Sequence, residues 1–355
     1  MFKFISRICS WRGVIVFSFM SVFVLVCFEY YIYFEGIITP FAGMRNQRDL
    51  LIGIGNNSAT NVRPVWKRHE RFMTMCTMVK NEAKYIREWV EFHSLVGVDH
   101  FIIFDNDSTD SLEEALKGTI ANVSIVKWPP ALWIPGNPYE EKCQGYKAGV
   151  NHDEWAFSYC QIAAFHECIY RERGHSRWIA GVDVDEFYMP RYDDKRLYTL
   201  QDVLKAYDHL HGISFYSFVY GTNHLQTPIQ PGELMIETHT LRGDDDSFMK
   251  GFVDPFKVET YPAVHRAKYY DSMWNLLFVR SIPRHYSMVR FNHYQYRSVL
   301  ESRHKVFKNM NPVLFQRIDK YDKVNVEDLY MIPMVPLIRR RLAGEKIWIR
   351  SVEQD

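Results

Sequence analysis

The stretch WIAGVDVDEFYMP, residues 178–190, limits what this chain can become more than any other part of it. The apolar run from Trp178 to Val182 reads as a buried strand. Asp183, Asp185 and Glu186 then cut it off. Desolvated carboxylates repel one another, so a buried strand ends in three acids only where a cation or a set of donors compensates them. At strand spacing Asp183 and Asp185 point to one side and Glu186 to the other. Two carboxylates converging at a strand end can hold a divalent cation, which can in turn hold a diphosphate. Glu186, on the opposite side, is expected to pair with a base such as Arg177 or Arg191.

The surrounding pattern alternates between strand and helix. Phe72 to Val79 reads as a buried strand, followed by a helix from Asn81 to Leu95 that Gly97 stops. His100 to Phe104 reads as a second strand ending in Asp105, Ser111 to Lys117 as a short helix, and Val123 to Trp128 as a third strand. Residues 131–152 are rich in Pro, Gly and Asn and read as a loop. Asp153 is expected to cap a helix from Glu154 to Arg173 that Gly174 ends. A helix from Leu200 to Leu210 and a strand from Gly212 to Tyr220 follow. The pattern is then mixed to about residue 295, with a last helix from Ser298 to Asn309. Such alternation predicts an α/β domain with a mostly parallel, Rossmann-like central sheet. Ligands of such sheets bind beyond the carboxyl ends of the strands, so Asp105 and the pair Asp183 and Asp185 are expected to face one crevice.

The N-terminus reads as a membrane anchor. Residues 13–34 are almost continuously apolar and reach the roughly 20 residues that a spanning helix needs. Lys3, Arg7 and Arg12 precede the run, and Glu29 and Glu35 lie at its far end. The positive-inside rule therefore predicts a cytoplasmic tail, 1–12, a signal-anchor, 13–34, and a luminal body. Bulky aromatics stand where a cleaved leader would carry small residues, which favours the anchor. Residues 35–70 read as a stem, 71–310 as the folded domain, and 311–355 as a C-terminal extension. Cys76, Cys143, Cys160 and Cys168 permit two disulfides with three connectivities. Cys160 and Cys168 share one helix and should not pair with each other. Cys76, on a core strand, can equally be a small buried hydrophobe. Sequons occur at Asn56, Asn106 and Asn122, and a glycan on Asn106 would block the crevice. Nothing in the net charge of +1, with acids and bases interspersed, suggests a nucleic-acid groove.

The blocks CTMVKNEAKYIREWVEFHSLVGVDHFIIFDNDSTD (76–110), WIAGVDVDEFYMP (178–190), FYSFVYGTNH (215–224), FMKGFVDPFKVETYPAVH (248–265) and FNHYQYRSVLES (291–302) occur in that order. Together they resemble glycosyltransferase family 92, the "domain of unknown function 23" group, and more loosely family 2 transferases. The resemblance covers roughly 72–305. It implies a GT-A fold and transfer of a sugar from a UDP-sugar to a glycan acceptor, with galactose as the specific donor sugar, inversion at the anomeric carbon, and the Golgi lumen as the setting. On the matching positions it implies Mn²⁺ or Mg²⁺ held by Asp183 and Asp185 with His265 as a third ligand, His293 and His224 being alternatives. Asp105 would contact the base or ribose, Lys80 and Asn81 would lie near the uridine, and Lys250 would neutralise phosphate. Inversion requires a general base, for which the run Asp244, Asp245 and Asp246 is a candidate, although such runs are usually solvated loop turns. Three rivals remain: the same fold with another UDP-sugar, a catalytically silent glycan-binding protein, and a nucleotide-sugar hydrolase.

Overall fold

Arg71–Val79 (RFMTMCTMV) forms β2, in which every residue after the first is buried. A strand this apolar has no solvent face, which suits the interior of a sheet covered on both sides. The computed structural model describes residues 59–60, 69–148, 156–192, 196–263, 265–270, 278–284, 287–303 and 318–349. All of these fall within one compact unit, Asp49–Asp355.

After β1 (Ala59–Thr60) and β2 come α1 (Ala83–Leu95), β3 (His100–Asp105), α2 (Leu112–Ala115), β4 (Val123–Lys127), α3 (Glu140–Lys147) and α4 (Ala156–Glu172). These are followed by β5 (Ser176–Gly181), β6 (Glu186–Pro190), α5 (Leu200–Lys205), β7 (Gly212–Tyr220), α6 (Met235–Thr238) and β8 (Leu241–Val253). β9 (Val258–Ala263), β10 (Arg266–Tyr269), β11 (Val279–Ile282), β12 (Val289–His293), β13 (Val326–Glu327), α7 (Val335–Leu342) and β14 (Trp348–Ile349) complete the order.

The main sheet runs β4-β3-β2-β5-β8-β7-β12-β6, with β11 on β7 and β13 on β8. β4, β3, β2 and β5 are mutually parallel, as the helical crossovers between them require. The expectation of a mostly parallel sheet does not extend further. β8 pairs antiparallel with both β5 and β7, and β6 antiparallel with β12, while β12 returns parallel to β7. The result is a mixed α/β sheet with a parallel half.

α4 lays Ala163, Ala164, Phe165, Cys168 and Ile169 on the parallel half, against Cys76, Ile102, Phe104 and Ile179. Two disulfides fasten this layer. Cys76 pairs with Cys168 and so joins β2 to α4, and Cys143 pairs with Cys160 and joins α3 to α4. Cys76 is therefore a cross-link rather than a plain hydrophobe. The expected loop 131–152 contains α3, whose position the second disulfide holds. Gly181 is required where β5 passes under α4, because a Cβ there would meet the Phe165 ring at 2.9 Å.

The tail 1–12 and the span 13–34 lie outside the described residues, as does Asp153. Among the described residues, no helix is long and apolar enough to cross a membrane. Part of the expected stem joins the fold, since Ala59 and Thr60 pair with Ile349 and Trp348. The expected C-terminal extension is likewise tied in, with α7 joined to α1 through Arg341 and Glu91. Asp244, Asp245 and Asp246 lie within strand β8 instead of a loop turn, with Asp246 opposite Phe218 in the register.

Candidate functional site

β5 ends at Gly181, and residues 182–185 form a turn before β6 begins at Glu186. This overturns the expectation that Glu186 faces away, because strand alternation does not carry through a turn. Glu186 N donates to the Asp183 carbonyl (3.0 Å), and Asp183 N donates to Glu186 Oε2 (2.8 Å). The turn folds the third acid back beside the first. Arg177 binds Asp208 and Asp254 instead, and Arg191 donates to the Arg284 carbonyl.

Three further strands and helices converge on the turn. β8 delivers Lys250, whose Nζ lies 2.7 Å from both Asp183 Oδ2 and Glu186 Oε2. α4 delivers Gln161, whose amide donates to Asp183 Oδ1. β12 delivers His293 directly across from Glu186 in the β6 register. His293 Nε2 stands 3.6 Å from Asp185 Oδ1 and 4.0 Å from Glu186 Oε1. Arg297, just past β12, stands 3.6 Å from Asp185 Oδ2 and 2.6 Å from Glu82 at the start of α1. The turn is also anchored through its backbone. Tyr294 N donates to the Asp185 carbonyl (2.7 Å), and Trp89 Nε1 to the Glu186 carbonyl (3.0 Å).

Three carboxylates thus share two fixed cations, Lys250 and Arg297. Burial raises the carboxyl of Asp183, but the Lys250 ammonium outweighs it and holds the group below the ordinary carboxylate range. Glu186, fully enclosed, is pushed up to about 7 by burial in spite of Lys250. Burial lowers the Lys250 ammonium, but the two carboxylates overcome it and raise the group. Two buried atoms of the cluster, Glu186 Oε1 and His293 Nδ1, have no hydrogen-bond partner.

The other expected residues are distributed unevenly. His265 stacks on Phe248 at 5.2 Å, and Phe248 also meets His293. Removal from water, followed by the Lys250 charge, pulls the His265 imidazole down to about 3, although the residue as a whole stays exposed. His293, not His265, makes the ion-pair approach to Asp185. His224 is distant in its contacts, lying 3.9 Å from Asp322 at the surface.

A second cluster lies at the ends of β2 and β3. Asn81 adopts a left-handed backbone (φ 60°). Its Oδ1 accepts from Thr109 N (2.7 Å) and Thr109 Oγ1 (3.1 Å), and its N donates to Ser108 Oγ (3.0 Å). Asp105 Oδ1 accepts from Ser108 N at 3.0 Å. Asp110 closes the first turn of α1 by accepting from Ala83 N (2.8 Å). Asn81 therefore staples two loops together, while Lys80 stays exposed beside it. Lys147 of α3 donates to buried Asn106 (2.9 Å) and pairs with Asp107. The hydrogen bond from Lys147 holds Asp107 below the usual carboxylate range. Asn106, buried and engaged, offers no surface for a glycan.

Gln161, Arg297 and Lys147 were not legible as site residues. Arg297 lies in the block 291–302, but an arginine four residues beyond a strand carries no signal by itself. Gln161 and Lys147 reach the site only because the disulfide-fastened helices place them there.

The profile of glycosyltransferase family 92 matches residues 69–329. A glycosyltransferase family 92 protein of Oryza sativa subsp. japonica is 33% identical over 146 residues, covering 40% of this chain and 20% of the rice protein. One from Arabidopsis thaliana is 36% identical over 124 residues, covering 34% of this chain and 16% of its own length. The chain thus matches about a fifth or less of these curated relatives. Among solved structures, glucosyl-3-phosphoglycerate synthase from Mycobacterium tuberculosis in complex with Mn²⁺ and UDP-glucose covers 62% of this chain at 12% identity, with a TM-score of 0.29, too low to equate individual residues. With the family profile spanning well over half of the sequence and taking in the acidic turn, Lys250 and His293 alike, the chain belongs to glycosyltransferase family 92.

Proposed function

We propose that this protein is a glycosyltransferase that moves a sugar from a UDP-sugar to a glycan acceptor with the help of a divalent cation, on a GT-A type of α/β fold. The observation that carries the reading is the approach of His293 to Asp185 at the carboxyl end of β5, on the same edge of the parallel half as Asp105 at the end of β3.

The residues fit a cation of the Mn²⁺ or Mg²⁺ kind. Among the described residues, no three His, Cys, Asp or Glu side chains form a closed cage. A carboxylate and an imidazole supply two donors, which suits a cation that takes its remaining ligands from water and a diphosphate. The two buried atoms without partners, Glu186 Oε1 and His293 Nδ1, belong to this same cluster. Such a cation, when bound, stabilises a leaving diphosphate as a Lewis acid. The protein's own residues orient Asp185 through Tyr294 N, keep Glu186 out of water, and hold the two loops of Asn81 and Asp105 in register. A base for the acceptor hydroxyl is sought first among Asp244, Asp245 and Asp246, which β8 carries alongside Lys250.

UDP-galactose with inversion is the first donor to test, and other UDP-sugars stand equally. A type II anchor with the body in the Golgi lumen completes the proposal. Support comes from the apolar run 13–34 and from the two disulfides, which belong to oxidising compartments. A second reading, glycan binding without turnover, has one observation in its favour: Asp183 is already saturated by Lys250 and Gln161.

The test is a donor screen with the purified full chain, scoring UDP release with and without EDTA and with and without glycan acceptors. Turnover that needs Mn²⁺ and acceptor, and that falls by about 10³-fold or more in Asp185→Asn, is the expected result, in line with loss of several kcal/mol of transition-state stabilisation. No turnover with any donor selects the silent reading, and UDP release without acceptor selects the hydrolase.

A further inference from the structure

The motif Asp183-Val184-Asp185 reads in sequence as two equivalent ligands, and the fold makes them unequal. Both oxygens of Asp183 are engaged, Oδ1 by the Gln161 amide and Oδ2 by Lys250 Nζ at 2.7 Å. Lys250 is enclosed, with its side chain 2% exposed, and its second bond goes to Glu186 Oε2, also at 2.7 Å. Glu186 Oε2 in turn accepts from Asp183 N at 2.8 Å. These bonds close a ring in which the ammonium, both carboxylates and the backbone of the turn hold one another. An enclosed ammonium is tolerated only with such partners, and removing one strands the rest. For a metal ion to recruit Asp183 it would have to break a short, charge-assisted hydrogen bond and leave Lys250 with one partner in a water-excluded site.

We propose that Lys250 is a positioning residue: it closes a triad with Asp183 and Glu186 that fixes the turn, so that Asp183 seats a permanent cation and a metal ion is left to Asp185 with His293. The part concerning metal rests on the function proposed above. The triad itself does not. Its consequence is that the two aspartates of the motif have different chemistry, one structural and one metal-binding, decided by a lysine 67 residues further along the chain.

The experiment uses the purified full chain and two readouts. Mn²⁺ affinity is measured calorimetrically for the wild type, Asp183→Asn and Asp185→Asn. Thermal unfolding in EDTA is measured for Asp183→Asn, Lys250→Met and the double variant. Asp183→Asn is expected to weaken Mn²⁺ binding by no more than about tenfold, the lower edge for a residue outside the ligand set, and Asp185→Asn by about a hundredfold or more. In EDTA the double variant D183N/K250M is expected to melt above K250M alone, because it leaves one carboxylate, Glu186, without the ammonium instead of two. If Asp183→Asn loses Mn²⁺ as strongly as Asp185→Asn, Asp183 is a ligand and the proposal is overturned. If the melting shifts simply add, the triad is overturned whatever the metal does. A wild type that is folded yet binds no Mn²⁺ removes the metal reading alone, and the melting cycle still decides the triad. Should K250M not fold, Lys250→Gln, which keeps a donor, takes its place in the cycle.

Discussion

Arg341 places its guanidinium 2.7 Å from a carboxylate oxygen of Glu91, with the two side chains 0% and 1% exposed. The same guanidinium donates to Ser94 Oγ (2.9 Å) and the Ile347 carbonyl (2.8 Å), while Arg87 approaches the other oxygen of Glu91 at 3.0 Å. α7 is thereby bolted to α1, the helix whose N-cap is Glu82 and whose Trp89 holds the acidic turn. Arg341→Met takes the nearer cation from the buried Glu91 carboxylate and leaves it Arg87, while Ser94 Oγ and the Ile347 carbonyl lose their donor. The expected cost is about 3–5 kcal/mol in urea unfolding, and replacing Glu91 by Leu in the same molecule recovers part of it.

Glu172 predicts the acid limb of stability. Burial raises its carboxyl, but the His100 ring, the Ser176 and Thr74 hydroxyls and the Arg71 guanidinium together bring it down to about 2. Its ordinary value is 4.5, so the folded group binds its proton less readily than the unfolded one. The stabilisation is complete above the unfolded value and is lost as pH falls through about 2. Glu172→Gln is expected to cost about 3 kcal/mol at neutral pH, with the gap to wild type closing near pH 2. Denaturant midpoints taken across that range check it. A gap that stays constant with pH would assign the loss to packing.

The two disulfides should contribute unequally. Cys76 and Cys168 are 92 residues apart and Cys143 and Cys160 only 17. Loop-closure entropy then predicts a loss of about 4.5 kcal/mol for Cys76→Ser with Cys168→Ser, and about 3 kcal/mol for Cys143→Ser with Cys160→Ser. The second pair should also loosen α3 and with it the contact of Lys147 with Asn106. Faster amide exchange at residues 105–110 would report that loosening.

Gly181→Ala tests how tightly the strand before the acids is pressed. The added methyl meets three atoms of the Phe165 ring at 2.9 Å, inside a core that includes Cys160, Cys168 and Ile179. Overpacking of this kind is expected to cost about 1–3 kcal/mol. Phe165→Leu in the same chain should relieve part of the cost, as measured by thermal unfolding.

Much of the parallel half was legible because each strand there is a short apolar run closed by a turn signal. β2, β3 and β4 lie within a residue of their expected bounds, and α1 ends at Leu95, two residues before Gly97, whose φ of 104° only glycine adopts comfortably. β8 was not legible. It carries Asp244, Asp245 and Asp246 inside a strand of 13 residues, and its antiparallel pairing with β5 and β7 supplies the order that local propensity lacks. α3 was hidden for a similar reason, since it rests on a disulfide to α4 more than on its own polar sequence.

The sequence by itself determined the α/β class, the acids at the end of β5, the family blocks, and which cysteines were present to pair. Each of these is a matter of residue type and local spacing. Tertiary structure decided which acids share a cation, which histidine stands beside them, and that Lys250 is spent on Asp183 and Glu186. Those outcomes depend on where a turn reverses the chain and on which distant strand then lies alongside. Charge–charge energies change steeply over a few ångströms in a water-poor site, and no one-dimensional spacing encodes such distances.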